Sequence, residues 1–392
     1  MLLRISVFLG VTALLSLLPR VNFQRSQASI GLLSRDSLWT EWADVSLQLM
    51  KSDQLASYFE NLYCEKRFNG AVLISKNSTV LYEKGFGLAN EKTAEPITPD
   101  TPFQLASVSK MFTATAIMLL YQEGKLDFDD TISQHLPGWP YENMTIRHLL
   151  NHRSGLARYE AVSSWYWKNY HEPLSNADVL SQYIEHKPVI FFTPDSGFNY
   201  CNTNYVILAC LVEKVSGMPF EQFMATRVFQ PLCMDHSTIH RRISNVEVPG
   251  HAVGYKPSRK GYFPAGGDYL DGVVGDKGMY ASVRDIAKFD AALSNHVLLN
   301  PSTLENAFEP GSGNRIHNYG FGWRLRIFND HKIIYHFGWW RGFRTCFIRD
   351  PQSELTIVIL TNRDEPGHYV DYWEAYDYVK EVTEYQLIQE AL

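Results

Sequence analysis

The stretch QLASVSKMFTATAIMLLYQ, residues 104–122, places two polar side chains at the start of a long apolar run. Ser107 precedes Lys110 by three positions, and residues at that spacing share one face of a helix, about 5–6 Å apart at their Cβ atoms. A serine hydroxyl is a weak nucleophile unless a base lies within hydrogen-bond reach. Because Met111 to Gln122 is apolar nearly all round, the pattern predicts a buried helix with a nucleophile and a base at its N-terminal end.

The overall composition is that of an ordinary folded protein. Its 392 residues are 45% hydrophobic and 20% charged, which is within the usual range. The length fits two or three domains or one large domain with two lobes. Nucleic-acid-binding proteins usually present a basic face, whereas this chain has a formal net charge of -6 and no long run of Lys or Arg. We therefore expect no nucleic-acid partner.

The N-terminal end has the pattern of an export signal. A basic start at Arg4 precedes the apolar stretch Ile5 to Leu18, which is too short for a membrane-spanning helix of roughly 20 residues. Ser26-Gln27-Ala28 has the small-x-small form of a cleavage site. We predict a signal peptide at residues 1–28 and an exported protein, periplasmic or extracellular. The alternative is that this segment stays uncleaved as a membrane anchor. We expect contact with a membrane only in that case and only through this segment.

The five cysteines do not form the pattern of a disulfide framework. Cys201 and Cys210 lie on one predicted helix with about 13 Å of rise between them, which exceeds the roughly 7 Å that a disulfide spans. A pair between Cys64 and Cys346 remains open. The sequence contains no CxxC and no HExxH, so we expect neither a metal nor another cofactor.

Strand patterns lie at both ends of the chain, and helical patterns lie between them. Ala71 to Ser75 and Thr79 to Lys84 are typical of a strand hairpin, and further strand patterns occupy 322–328, 332–337, 344–349 and 355–360. This order predicts an α/β (α+β) fold in which both chain ends form one antiparallel sheet, flanked by helices, with an all-helical lobe inserted. The predicted segments are the signal at 1–28, an extension and helix at 29–68, a main domain at 69–362 with its helical lobe at roughly 125–300, and a closing helix at 363–392.

A Tyr-x-Asn pattern lies in GFNYCNTNYVILA, just before an apolar helix. Tyr200 can transfer protons if a nearby ammonium lowers its pKa, and the amide of Asn202 offers a donor and an acceptor to a substrate. Tyr141-Glu142-Asn143 matches the same pattern. We interpret that second match as structural because it lies in a proline-rich turn.

A third motif, HFG, lies in YHFGWWRGFRT, at the end of a predicted strand. His336 lies two residues before Gly338, and a glycine there lets a substrate approach the backbone closely. Each motif has a simpler interpretation when taken alone. Ser107 also fits a helix cap, and a histidine at a strand end is frequently structural.

The ordered set SVSK, YCN and HFG resembles the three motifs of the serine β-lactamase and penicillin-binding-protein superfamily. It looks most like the branch of class C β-lactamases, D-alanyl-D-alanine carboxypeptidases and esterases. Stretches such as TIRHLLNHRSGL, PDSGFNYCNTNY and GDKGMYASVRDIAKF extend the likeness over roughly 69–362. The resemblance implies a sandwich-like α/β domain with an antiparallel sheet, an all-helical domain, and an active site between them.

The resemblance also implies a reaction. Ser107 would be the acylated nucleophile, and Lys110 and Tyr200 would take its proton and return it to the leaving group. The expected activity is hydrolysis of small esters, amides or D-amino-acid peptides. Alternatives are a D-alanyl-D-alanine carboxypeptidase, a class C-like β-lactamase, or a penicillin-binding sensor or scaffold that does not turn over.

The substrate-binding residues follow in the same way. Asn202 would hold the amide or ester of the substrate. The backbone N–H groups of Ser107 and Trp339 would form the oxyanion hole, beside Gly338. His336 would take the position that lysine holds in many penicillin-binding relatives.

The HFG motif departs from the pattern of β-lactam-processing relatives, which mostly have Lys-Thr-Gly or Lys-Ser-Gly there, and Cys201 stands where a serine is commoner in relatives. A histidine is mostly neutral at neutral pH, so His336 lacks the permanent charge of lysine. Phe337 lacks the hydroxyl that would bind a substrate carboxylate. We expect weaker recognition of carboxylates, unless Arg341 or Arg344 supplies the charge through its bidentate guanidinium.

Overall fold

The structure, a computed structural model, describes residues 35–241, 250–311, 319–328, 331–364 and 370–384, with side chains from residue 50 onward except that of residue 328. The predicted signal at 1–28 lies outside the described residues. The strands are β1 (Gly70–Lys76), β2 (Thr79–Phe86), β3 (Leu88–Asn90), β4 (Glu95–Pro96), β5 (Phe103–Gln104), β6 (Thr238–Ile239), β7 (Tyr255–Ser258), β8 (Gly261–Pro264), β9 (Met279–Ala281), β10 (Arg324–Phe328), β11 (His331–Trp340), β12 (Phe343–Asp350) and β13 (Leu355–Thr361). The α-helices are α1 (Arg35–Cys64), α2 (Ser109–Gln122), α3 (Ile132–His135), α4 (Ile146–Leu150), α5 (Tyr159–Tyr166), α6 (Asn176–His186), α7 (Asn202–Ser216), α8 (Phe220–Met224), α9 (Val283–Ser294), α10 (Pro301–Phe308) and α11 (Tyr372–Glu384).

Strands from both ends of the chain form the main sheet. Its six antiparallel strands follow the order β10-β11-β12-β13-β1-β2. The interior position of β1 explains its composition, because Gly70 to Ser75 is buried without interruption and pairs with β13 on one side and β2 on the other. The predicted fold class, an antiparallel sheet built by both chain ends with helices inserted between them, is confirmed. The predicted segment boundaries stay predictions.

Alternate residues of β1 enter two hydrophobic cores. Ala71 and Leu73 belong to the core that also contains α2 and α7. Val72 and Ile74 belong to a second core with residues of α1 and α11. This division follows from the period of two in a strand, which sends successive side chains to opposite faces of the sheet. The sheet is therefore covered by helices on both faces.

Helix α2 lies in the larger core and determines where the SVSK motif sits. Its residues from Ser109 to Leu120 are all buried, and Phe112 packs on Phe289 of α9 with ring centroids 4.1 Å apart. A 3-10 turn, Ala106–Val108, leads into the helix. Because α2 is enclosed by apolar contacts, the turn at its N-terminal end is fixed against the sheet.

Helix α1 is longer than the predicted one, which started near Leu55. It begins at Arg35, and the sequence from there to Cys64 contains neither proline nor glycine, the residues that most readily end a helix. None of the helices in the described parts of the chain has both the length and the apolar character to cross a membrane. All five cysteines have free thiols, so the Cys64–Cys346 pair left open by the sequence does not form.

Candidate active site

One cleft contains six of the seven predicted site residues. It encloses about 830 Å³ and lies beside the end of β11. The predicted residues that line it are Ser107, Tyr200, Asn202, His336, Gly338 and Trp339. The seventh, Lys110, lies directly behind the wall of the cleft, in contact with Ser107. The structure thus brings together residues from three distant parts of the chain.

Ser107 and Lys110 are within hydrogen-bond distance of each other. The Lys110 side chain is fully buried, and its Nζ lies 3.1 Å from the Ser107 Oγ and 2.8 Å from the backbone oxygen of Asp276. The residue before the serine, Ala106, has φ of 49°, a left-handed conformation that is uncommon outside glycine. Such strained residues cluster at functional sites. The geometry gives the serine hydroxyl a basic group at close range.

The ring of Tyr200 lies close to the same lysine. The Lys110 Nζ lies 5.1 Å from the centroid of the Tyr200 ring. The Tyr200 hydroxyl is buried and has no hydrogen-bond partner among the described residues. Buried polar groups nearly always have a partner, so this hydroxyl is available to a substrate or to Ser107.

Asn202 is held by a glutamate that the sequence did not indicate. At the start of α7, its Nδ2 donates to Oε1 of Glu160, 2.7 Å away. The remaining oxygens, Asn202 Oδ1 and Glu160 Oε2, are buried and have no partner among the described residues. Both residues line the cleft. The two residues thus bring a pair of buried, unfilled acceptors to the lining of the cleft.

His336 is buried and neutral. Its Nδ1–H donates to the backbone oxygen of Phe337, 2.8 Å away, and its Nε2 accepts from the Tyr319 hydroxyl at 3.0 Å; the tautomer is assigned from these partners. Burial, and then the charges of Arg324 and Lys110, hold the pKa of His336 well below its usual value. The ring thus brings no positive charge to the position where relatives carry lysine.

Gly338 lets β11 lie against the turn that carries the nucleophile. A Cβ on this residue would lie 2.3 Å from the backbone oxygen of Leu105 and 2.2 Å from Oγ1 of Thr345. Trp339 follows; this residue is 65% exposed, and its Nε1 donates to Asp364 at 2.5 Å. The close approach places the Trp339 backbone and Ser107 on the same cleft.

The two arginines expected to replace the lysine charge are already paired. Arg341 forms salt bridges with Asp268 and Asp271. Arg344 donates from Nε to Oδ1 of Asp364 at 2.8 Å. Both arginines line the cleft, and local carboxylates already engage each of them.

A different arginine, Arg324, occupies the cleft without a salt bridge to any described residue. Its guanidinium lies 5.0 Å from the centroid of the Tyr200 ring, and it lines the cleft next to His336. It directly follows Trp323, and none of the sequence motifs indicated it. This guanidinium is one of the cations in the lining of the cleft, together with Arg158 and Lys256.

His152, from the NHRSGL stretch, supports the loop around Tyr200. Its Nδ1 accepts from the backbone N–H of Cys201 at 3.2 Å and from the amide of Asn204 at 2.9 Å. Burial lowers its pKa well below the usual value, so the ring is neutral. It packs on Tyr200 with ring centroids 4.3 Å apart. Burial also raises the pKa of the neighbouring Cys201 thiol to about 11.

Comparisons with known proteins agree with this geometry. Residues 55–379 match the family model described as Beta-lactamase. The chain is 35% identical over 335 residues to "Penicillin-binding protein 4*" of Bacillus subtilis (strain 168), covering 81% of this chain and 73% of the relative. It is 25% identical over 301 residues to a "D-aminopeptidase" of Gluconobacter oxydans (strain 621H), covering 75% of this chain and 55% of that relative.

A solved structure agrees with these matches. The penicillin-binding protein from Bacillus halodurans superposes with a TM-score of 0.71 at 27% identity, covering 84% of this chain and 98% of that one. Sequence and backbone therefore agree over most of the chain, and the resemblance inferred from the three motifs is confirmed. The chain belongs to the Beta-lactamase family, within the β-lactamase-related serine hydrolases.

Proposed function

We propose that this chain is an exported serine hydrolase that acts through an acyl-enzyme on small esters, amides or D-amino-acid peptides. The 3.1 Å separation between Lys110 Nζ and Ser107 Oγ carries the proposal. The serine oxygen attacks the substrate carbonyl, and its proton passes through Lys110 and Tyr200 to the leaving group. Water then attacks the serine ester, and the carboxylic acid leaves while Ser107 regains its proton.

The free edge of β11 supports the binding of an extended substrate. Strand β10 pairs with β11 only as far as Tyr335, so residues 336–340 have no partner strand on that side among the described residues. An extended peptide can pair with such an edge. The N–H groups of Ser107 and Trp339 then stabilise the oxyanion, and one donor of this kind contributes about 2.7–4 kcal/mol in a comparable hydrolase.

The unfilled acceptors beside Asn202 favour substrates with an amine. Asn202 Oδ1 and Glu160 Oε2 are both buried and unpartnered among the described residues, and a carboxylate in that position attracts an ammonium. An amino-acid amide or a peptide N-terminus presents such a group next to its carbonyl. The relative named D-aminopeptidase supports an aminoacyl substrate of D configuration.

A second candidate rests on Arg324. Its guanidinium can pair with a substrate carboxylate in a bidentate manner, as a D-alanyl-D-alanine carboxypeptidase or a class C-like β-lactamase would require. The 35% identity to a penicillin-binding protein supports this candidate. A penicillin-binding sensor that acylates without turnover would use the same contact.

The test is labelling by a fluorophosphonate probe, followed by a substrate panel. The wild-type protein should be labelled, and Ser107→Ala should not be, with its melting temperature nearly unchanged. Full labelling of Ser107→Ala would refute the nucleophile. In the panel, a D-amino-acid amide, a p-nitrophenyl ester and a fluorescent penicillin separate amidase, esterase and penicillin-binding activities.

Two variants test which charged residue of the cleft recognises each substrate of the panel. Glu160→Gln should raise KM for the D-amino-acid amide by about tenfold, since a charge-assisted hydrogen bond contributes about 1.5–3 kcal/mol. The KM for p-nitrophenyl acetate, which has no amine, should stay nearly the same. Arg324→Gln should instead weaken acylation by the penicillin, which carries a carboxylate. If Glu160→Gln raises KM equally for both substrates, the residue does not recognise an amine.

Export is proposed from the sequence alone. The basic start, the apolar stretch at 5–18 and the small-x-small pattern at 26–28 support it. N-terminal sequencing of the protein recovered from the expressing cells tests it. A chain beginning just after residue 28 is expected, whereas an intact residue 1 in the soluble cell fraction would refute export.

A further inference from the structure

Behind the cleft lies a buried lysine that the proposed reaction does not use. The Lys277 side chain is 4% exposed and that of Asp276 is 1% exposed, with the Lys277 Nζ 3.5 Å from Oδ2 of Asp276. The same Nζ donates to the Tyr159 hydroxyl at 2.5 Å. Burying an ion pair is costly, and apolar residues of similar volume are often equally stable. A purely stabilising role therefore explains this pair poorly.

One side of the pair anchors the catalytic base. The backbone oxygen of Asp276 accepts a hydrogen bond from the Lys110 Nζ at 2.8 Å. The flanking Gly275 and Gly278 have φ of 100° and 90°, and glycine leaves a backbone with little conformational preference of its own. The contacts of the buried ion pair thus help to hold the carbonyl that positions Lys110.

The other side of the pair contacts the end of β11. The Lys277 Nζ lies 4.9 Å from the centroid of the Trp340 ring, within the range of a cation–π interaction. The Trp340 Nε1 donates to Oδ1 of Asp271 at 2.6 Å, so both the face and the edge of the indole are held. Trp340 follows Trp339, whose backbone N–H is the proposed oxyanion donor.

We propose that Lys277 is a positioning residue that fixes the distance between the Lys110 anchor and the oxyanion end of β11. The inference rests on the proposed function, because it assigns a role to the geometry which that reaction needs. The Asp276 carbonyl that anchors Lys110 and the end of β11 are far apart in sequence, and the Lys277 side chain contacts both Asp276 and Trp340. A neutral side chain of similar length would fill the space but would lose the ion pair, the hydrogen bond to Tyr159 and the attraction to the indole.

The first measurement is the acylation rate constant with the fluorophosphonate probe. Lys277→Met should lower it by 10- to 100-fold, whereas Lys125→Met, which truncates a lysine with a 47% exposed side chain, should leave it unchanged. If Lys277 acts through the indole, Lys277→Met and Trp340→Leu should be strongly non-additive in a double-mutant cycle. A rate for Lys277→Met within twofold of wild type, or additive effects, would overturn the proposal.

A second measurement does not depend on activity. In protein labelled with 5-fluorotryptophan, the ¹⁹F resonance missing from Trp340→Leu belongs to Trp340. Lys277→Met should shift that resonance and Lys125→Met should not. If the probe fails to label wild type, the proposed function fails, while an unshifted resonance refutes the contact made by Lys277. Should Lys277→Met not fold, Tyr159→Phe removes one partner of the ammonium and should shift the resonance in its place; an unchanged resonance there counts equally against the proposal.

Discussion

Replacing Gly338 by alanine tests how closely β11 must lie against the turn that carries Ser107. The added Cβ would lie 2.3 Å from the backbone oxygen of Leu105, 2.2 Å from Oγ1 of Thr345 and 3.1 Å from Cβ of Ala106. The Thr345 hydroxyl donates to that same Leu105 oxygen at 2.7 Å, so the two clashing atoms are bound to each other. To restore ordinary contact distances, the strand and the turn must separate by about 1 Å.

The size of the effect follows from this displacement. A misplacement of about 1 Å in a catalytic site can lower the rate by about 10²-fold, which corresponds to about 2.7 kcal/mol of transition-state stabilisation. The same overpacking should destabilise the fold by about 1–3 kcal/mol. Because folded proteins have about 5–15 kcal/mol of stability, Gly338→Ala should remain folded while it loses most of its activity.

The assay measures the acylation burst of each variant with a p-nitrophenyl ester. The midpoint of urea unfolding of each variant is measured separately, to report its stability. Gly266→Ala is the matched control, because its added Cβ has no heavy atom within 4 Å and its φ is not in the left-handed range. We expect an acylation rate constant near that of wild type for Gly266→Ala and about 10²-fold lower for Gly338→Ala. If Gly338→Ala acylates within threefold of wild type, β11 does not set the geometry around Ser107.

Two further predictions concern buried groups. His152 and His336 stay neutral in the folded protein because burial holds each pKa well below its usual value, whereas in the unfolded chain both bind protons below about pH 6.5. The unfolded state then binds more protons, so the free energy of unfolding should decrease by up to about 1.4 kcal/mol per pH unit for each histidine as the pH falls below 6.5. Urea unfolding at pH 5 and pH 7 measures this, and an equal pH dependence in His336→Gln and wild type would contradict it. In the folded protein, a thiol-specific reagent should rapidly modify the exposed Cys64 and Cys233, while Cys201, with its pKa raised to about 11, reacts only after unfolding; rapid modification of more than two thiols would contradict the burial.

Local patterns in the sequence were sufficient for the architecture and for the meeting of Ser107 and Lys110. The three-residue spacing joins the 3-10 turn that carries Ser107 to the first turn of α2, which carries Lys110, and the apolar run from Met111 onward fixes the burial of that helix. The strands at both ends follow from a period of two and from turn residues, which are also local signals. The sheet could therefore be predicted, although the early start of α1 was missed.

Only the tertiary structure decided the charges around the cleft. The pairing of Arg341 with Asp268 and Asp271, the contact between Asn202 and Glu160, and the approach of Lys277 to Trp340 each join residues from separate segments. No periodicity encodes such contacts, because they depend on how helices and strands pack together in space. The protonation of His336 has the same origin, since burial and the neighbouring charges of Lys110 and Arg324 exist only in the folded chain.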